Sequence, residues 1–206
     1  MSLIQAIILG IVQGLTEFLP VSSSAHLVIV PYLAGWQLDK DFSFVFDILV
    51  QLGTLTAVLY YFREDLWQIL QAWLAGIRAK APLKEANSRL GWYLILATIP
   101  AGLGGLLLKD KVEAAFASPV ITAGFLFLTA VILTLAEIIH QRDERRGEKK
   151  ALDKMSWADA LWIGLSQVLA LFPGVSRSGA TIGAGISRRL DRQGAARFSF
   201  LMSIPI

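Results

Sequence analysis

Five apolar regions alternate with hydrophilic connectors along the chain. Residues 43–62, 91–108 and 120–139 read as plain membrane spans, because a helix needs about twenty mostly apolar residues to cross a bilayer. Asp47 is the only charge in the first of these, Gly102, Gly104 and Gly105 suit the second to close helix packing, and the third ends at Glu137. Residues 3–35 and 157–187 differ: each is too long for one crossing and tight for two. Each also breaks near its middle, at Pro20 and Ser22–Ser24 in the first and at Pro173, Gly174 and a second serine-rich run in the other. Re-entrant helical hairpins satisfy this pattern, with the irregular backbone of the break lining a polar cavity inside the protein. Residues 66–77, with Trp67 and Trp73, suit an amphipathic helix in the interface.

Composition sharpens the class. Of 206 residues, 55% are hydrophobic and 17% charged, and mean hydropathy is +0.58. Soluble domains carry about 25% charged residues, so this is a membrane protein with room for one integral domain, residues 1–206. Without cysteine, disulfides, thiol nucleophiles and thiolate metal sites are excluded. The N-terminus lacks the basic flank of a signal peptide and reads as a mature membrane segment. The membrane is the expected surrounding, a homodimer the expected self-association, and nucleic acid is not an expected partner.

Connectors 63–90, 140–156 and 188–197 hold fifteen of the Lys and Arg residues, against three in 34–42 and 109–119. The positive-inside rule makes the first group cytoplasmic and the second external. The spans then alternate without conflict, and the first hairpin enters from outside while the second enters from the cytoplasm.

A shift of 154 residues lays Gly10–His26 on Gly164–Ala180 without a gap, with seven of seventeen positions identical, Gln13/Gln167, Ser22/Ser176 and Ser24/Ser178 among them. Three crossings separate the copies, an odd number, so they are expected in opposite topology. The fold class is therefore an all-α polytopic membrane protein with two inverted-topology repeats, the first from about residue 1 and the second from about 155. Residues 43–62 map onto 197–216, yet the sequence stops at Ile206. This predicts a chain truncated relative to a complete protein and missing C-terminal spans, or a partner that completes the fold.

Outside the connectors the charged residues are Glu17, Asp47, Glu137, Asp159 and Arg177. Glu137 and Asp159 lie near span ends, where a structural role suffices. Asp47 is deeper and reads equally as a site residue or a packing group. Glu17 and Arg177 stand at matching breaks with opposite charge. Ser23 and His26 are three apart and would share a helix face, a nucleophile beside a base. Around Arg177, the stretch Pro173–Thr181 gathers Ser176, Ser178, Thr181 and two glycines at a helix start, the chemistry of a phosphate clamp, to which Ser22 of the first break adds a hydroxyl. Nucleophile, base, carboxylate and anion clamp together suit phosphoryl transfer from a lipid-borne phosphate.

The stretches Gln13–His26 and Pro173–Thr181 resemble the two signature motifs of bacterial undecaprenyl-diphosphate phosphatases of the BacA type, and Val50–Thr54 fits the same pattern. The resemblance implies a multi-pass enzyme of the bacterial inner membrane that hydrolyses undecaprenyl diphosphate to the monophosphate. Its active site would face the external side, it would recycle the carrier for peptidoglycan synthesis, and bacitracin resistance would follow from its overproduction. It also implies catalytic roles for Glu17, Ser23, His26 and Arg177, and a divalent cation, Mg2+ or Ca2+, at Glu17 with Gln13 as a weaker ligand. Gln13 stands where many members carry a second glutamate, which weakens a two-carboxylate metal site. Attack by Ser23 and direct attack by water fit the same residues. The rival reading is a transporter or flippase of polyprenyl phosphate or another anionic lipid, which needs the arginine but has no use for Ser23 beside His26.

Overall fold

The computed structural model describes residues 1–116 and 118–205, the side chains of residues 40–42 and 44 excepted, so the stop at Ile206 lies outside the described residues. Its elements are α1 (Leu3–Thr16), α2 (Ser23–Leu33), α3 (Lys40–Tyr61), α4 (Arg63–Arg78), α5 (Ala86–Phe116), α6 (Pro119–Arg146), a 3-10 turn (Leu152–Lys154), α7 (Trp157–Leu169), α8 (Arg177–Ser187) and α9 (Arg192–Met202). No strand occurs among the described residues, only an isolated bridge between Lys150 and Leu190.

Helices α5 and α6 are each long and apolar enough to cross a membrane. At 31 and 28 residues they run beyond the apolar cores expected for them, into the flanking polar sequence. The pair α3 and α4 passes the same test together, bent by 71° at Phe62. Leu106, Leu107 and Val120 are each about 80% exposed on the outer faces of α5 and α6, as lipid-facing side chains are. By contrast α1, α2, α7 and α8 have only 11 to 14 residues. At 1.5 Å per residue such helices fall well short of the roughly 30 Å apolar layer, so none of the four is long enough to cross it alone.

The two hairpins follow the same plan. Under the 154-residue shift the first residue of α1 falls on that of α7, and α2 falls on α8 end to end. A capping box opens each, Ser2 with Gln5 on α1 and Ser156 with Asp159 on α7. Ser22 and Ser176 then cap α2 and α8, and each hydroxyl lies 3.2 Å from that of the serine two residues on, Ser24 or Ser178.

Helix α6 packs against both α2 and α8, while α7 lies along α5. Ile163, Leu190, Phe198, Leu201 and Met202 fill the core between α5, α7, α8 and α9. The expected structural roles of the span-end carboxylates hold. Asp159 is fully buried and accepts from Lys150 at 2.5 Å, Arg188 at 2.8 Å and the Ser156 hydroxyl at 2.8 Å, and Glu137 pairs with Arg192.

Glycine makes the α5–α7 crossing close. A Cβ at Gly164 would sit 2.4 Å from the Ala97 carbonyl oxygen, whereas one at Gly14 would meet nothing within 4 Å. Gly164→Ala is therefore expected to cost about 1–3 kcal/mol or more, because a backbone cannot yield as a side chain does. Gly14→Ala is expected to be neutral or stabilising, given alanine's higher helix propensity. Thermal unfolding of the two variants in detergent checks this; equal melting temperatures would contradict the packing.

Candidate active site

The two breaks meet. Helix α6 packs against both α2 and α8, and the N-termini of these two helices line one cavity of about 160 Å3. Ser23 and Arg177, equivalent under the 154-residue shift, are the first residues of α2 and α8. The cavity is lined by Glu17, Ser22, Ser23, Ser176, Arg177 and Ser178, with Gln51 of α3 contributing from the side.

Glu17 is the hub. Its Oε2 accepts from the Ser23 hydroxyl at 2.5 Å and from Gln13 Nε2 at 3.0 Å. Its Oε1 accepts from Arg177 Nη2 at 3.0 Å. The side chains of Glu17 and Arg177 are 19% and 21% exposed, so this pair is largely shielded and ties one hairpin to the other. The Ser178 hydroxyl also reaches across, donating to the Leu19 carbonyl at 3.5 Å.

Each break is held by its own device. Ser22 adopts φ 63° and ψ 92°, a conformation that costs a non-glycine residue about 1–3 kcal/mol and turns the chain so that Ser23 faces Glu17. At the second break Gly174 has φ 104°, and a Cβ there would lie 2.2 Å from the Thr122 carbonyl, so only glycine fits. Thr129 of α6 locks the same turn, its hydroxyl donating to the Gly174 carbonyl at 2.7 Å and accepting from the Ser176 amide at 2.9 Å.

The structure corrects the expected pairing of Ser23 with His26. The Ser23 hydroxyl turns back across the break to Glu17, and His26 Nδ1 lies 2.7 Å from the Ser22 carbonyl. A carbonyl only accepts, so Nδ1 carries the proton and the ring braces the strained turn. Thr181 also departs from expectation. It is fully buried outside the cavity wall, with its hydroxyl 2.8 Å from the Arg177 carbonyl and 2.6 Å from the Ser199 hydroxyl. Gln13 is equally buried, one turn below Glu17, and offers that carboxylate its amide nitrogen rather than its oxygen. Asp47 lies half-buried on α3 and is not in the cavity wall.

The sequence named Gln51 only inside the stretch Val50–Thr54 and gave no role to Thr129 or Ser199. Gln51 lines the cavity, Thr129 fixes the second break, and the Ser199 carbonyl accepts from Arg177 Nη1 at 3.4 Å. Thr129 and Ser199 sit in apolar helical sequence with no motif around them, and only their full burial sets them apart.

No group of three or more His, Asp or Glu residues able to hold a metal occurs among the described residues. Among the described residues Glu17 is the one carboxylate in the cavity wall, and three protein donors already engage it. These side chains do not form a complete cage for a divalent ion. They fit the other arrangement, in which one carboxylate and substrate phosphates share the cation.

Fold and site thus define a class, a polytopic helical membrane protein with an arginine, a hydroxyl and a carboxylate gathered where two pairs of short helices touch. The family model described as "Bacitracin resistance protein BacA" matches residues 6–206, and the chain belongs to that family. It is 49% identical over 206 residues to the undecaprenyl-diphosphatase of Chloroherpeton thalassium, covering all of this chain and 72% of that protein. Identity is 47% to undecaprenyl-diphosphatase 2 of Stutzerimonas stutzeri, again over this whole chain and 73% of the relative. The undecaprenyl-diphosphatase of Chlorobaculum parvum is 48% identical, with 72% of it covered.

Proposed function

We infer that this protein hydrolyses undecaprenyl diphosphate to undecaprenyl phosphate and inorganic phosphate in the bacterial inner membrane. Family membership and the names of the relatives support the reaction. The observation that carries the residue assignment is Glu17 bridging the Ser23 hydroxyl at 2.5 Å and Arg177 at 3.0 Å.

The diphosphate enters between the N-termini of α2 and α8, where helix dipoles and free amides favour an anion. Arg177 shifts its fork from Glu17 to the phosphate oxygens, assisted by the hydroxyls of Ser22, Ser176 and Ser178. That exchange leaves Glu17 as an unpaired carboxylate beside Ser23. Glu17 takes the Ser23 proton as the oxygen attacks the terminal phosphorus. The phosphorus–bridging-oxygen bond breaks, Glu17 passes the proton to the departing undecaprenyl phosphate, and Arg177 holds the charge that remains. Glu17, a carboxylate again, then takes a proton from the water that attacks the phosphoserine and returns it to the Ser23 oxygen as phosphate leaves. His26 keeps Ser22 in its strained turn. A divalent cation, Mg2+ or Ca2+, would be held by Glu17 together with the substrate's phosphates and would neutralise charge on the leaving group. The two hairpins enter the membrane from opposite faces, with the cavity open to the external side. A lipid carrier function accounts for Arg177 but leaves the short Ser23–Glu17 bond without a purpose.

The test is phosphate release from undecaprenyl diphosphate by purified protein in nanodiscs, with and without chelator. One phosphate per substrate is expected, the monophosphate surviving, with a radiolabelled phosphoseryl peptide trapped on rapid acid quench. No release by the wild-type protein would end the reading. Release without a trapped peptide would replace Ser23 by water as the attacking group.

A further inference from the structure

The stretch Val50–Thr54 has no part in the reaction so far, yet it places Gln51 of α3 in the wall of the catalytic cavity. We propose that Gln51 holds the water that hydrolyses the phosphoserine, and so governs the second half of the reaction. The inference rests on the covalent route above and assigns a residue to its second step.

Gln51 differs from the other polar residues of the wall in that its side chain has no partner among the described residues. The Thr16 hydroxyl donates to the Val12 carbonyl at 2.7 Å. The hydroxyls of Ser22 and Ser24 lie 3.2 Å apart, as do those of Ser176 and Ser178, and Glu17 accepts from both Ser23 and Arg177. The Gln51 amide therefore enters the cavity with an oxygen acceptor and two N–H donors unused. It also comes from a third helix, whereas Ser23 and Arg177 begin α2 and α8. Its neighbour Val50 supplies the anchorage on α1, with Cγ2 4.0 Å from where a Cβ on Gly10 would stand.

The repeat separates frame from chemistry. Residues common to both copies, Gln13/Gln167, Ser22/Ser176 and Ser24/Ser178, include the caps that shape the two breaks. The reacting groups are not common: Glu17 falls on Leu171 and Ser23 on Arg177. Gln51 belongs with this second set, since the same shift lays it on Pro205.

In the second step the water oxygen bonds to phosphorus and the bond from phosphorus to the Ser23 oxygen breaks. Glu17 takes one hydrogen of the water as a proton and returns it to Ser23. The other hydrogen has to be fixed before the oxygen lone pair points at phosphorus. Gln51 Oε1 accepts it, while Nε2 donates to a phosphoryl oxygen. A glutamine orients the attacking water in GTP-hydrolysing enzymes in this way. The amide neither gains nor loses a proton, so its effect is geometric and worth about a hundredfold. In the first step Ser23 is the nucleophile, and Gln51 has no water to hold.

Gln51→Leu, which keeps the bulk without the amide, and Gln51→Ala are each expected to lower kcat in nanodiscs about a hundredfold. KM should fall in the same proportion and kcat/KM stay near wild type, because only the step after loss of undecaprenyl phosphate is slowed. Rapid quench should show a burst of about one undecaprenyl phosphate per protein, with phosphoseryl enzyme as the main steady-state form. Thr56→Ala, on another face of α3 and outside the wall, should match wild type throughout. A merely structural defect lowers kcat without lowering KM or building up phosphoserine. Wild-type kinetics in both Gln51 variants, or a kcat/KM that falls along with kcat, would overturn the proposal. Phosphate release by the wild-type protein with no phosphoseryl peptide would overturn it and leave the hydrolase reading standing. No release by the wild-type protein would remove both.

Discussion

Arg177→Ala is expected to lower kcat/KM for phosphate release by about a thousandfold or more, since a guanidinium on a transferring phosphoryl group is commonly worth 10^3–10^5. In the resting site Arg177 Nη2 binds Glu17 at 3.0 Å and Nη1 binds the Ser199 carbonyl at 3.4 Å, so the fork is already aimed across the cavity. Its loss removes the charge that draws the diphosphate in and leaves Glu17 without its partner in a shielded site. Arg177→Lys is expected to recover part of the activity and no more, because an ammonium supplies charge without the planar two-pronged geometry. Phosphate release by the three proteins in matched nanodiscs, with melting temperatures recorded alongside, decides the matter. A folded Arg177→Ala protein within tenfold of wild type would remove Arg177 from the mechanism.

The second large effect concerns Ser23 and Glu17. Ser23→Ala is expected to reduce kcat on the order of 10^4-fold or more, as removal of a nucleophile does. Glu17→Gln keeps the shape but not the charge and should cost about 10^2–10^4-fold, the usual contribution of a general base. Because the two residues share one proton at 2.5 Å, the double variant should be hardly worse than the weaker single one. Multiplying losses would show that they act independently. His26→Ala should cost less than either, since its ring contacts the Ser22 carbonyl and not the Ser23 hydroxyl. A loss equal to that of Ser23→Ala would restore His26 as the base.

Much of this was legible in the sequence because burying charge in hydrocarbon is costly and proline and glycine are strict about backbone shape. Glu17 and Arg177 stood out as charges that no span end could relieve. The spans at 91–108 and 120–139 lie within α5 and α6, and the two interrupted regions became pairs of short helices. The register match of Gln13 with Gln167 and Ser22 with Ser176 marked the breaks as equivalent, and the coincident helix boundaries repeat that match in three dimensions. Side-chain direction was less accessible. Three-residue spacing implied that Ser23 faces His26, but that rule describes helix interiors, and Ser23 is the first residue of α2, free to turn across the break.

By itself, then, the sequence determined the helical class, the two breaks and the charged pair, because periodicity and the cost of buried charge act locally along the chain. Only the tertiary structure decided that Glu17 serves both Ser23 and Arg177. It alone supplied Thr129 and Ser199, and put Gln51 in the cavity wall. Those contacts join residues as far as 160 positions apart. No local rule encodes such a distance, and the packing of both α2 and α8 against α6 closes it.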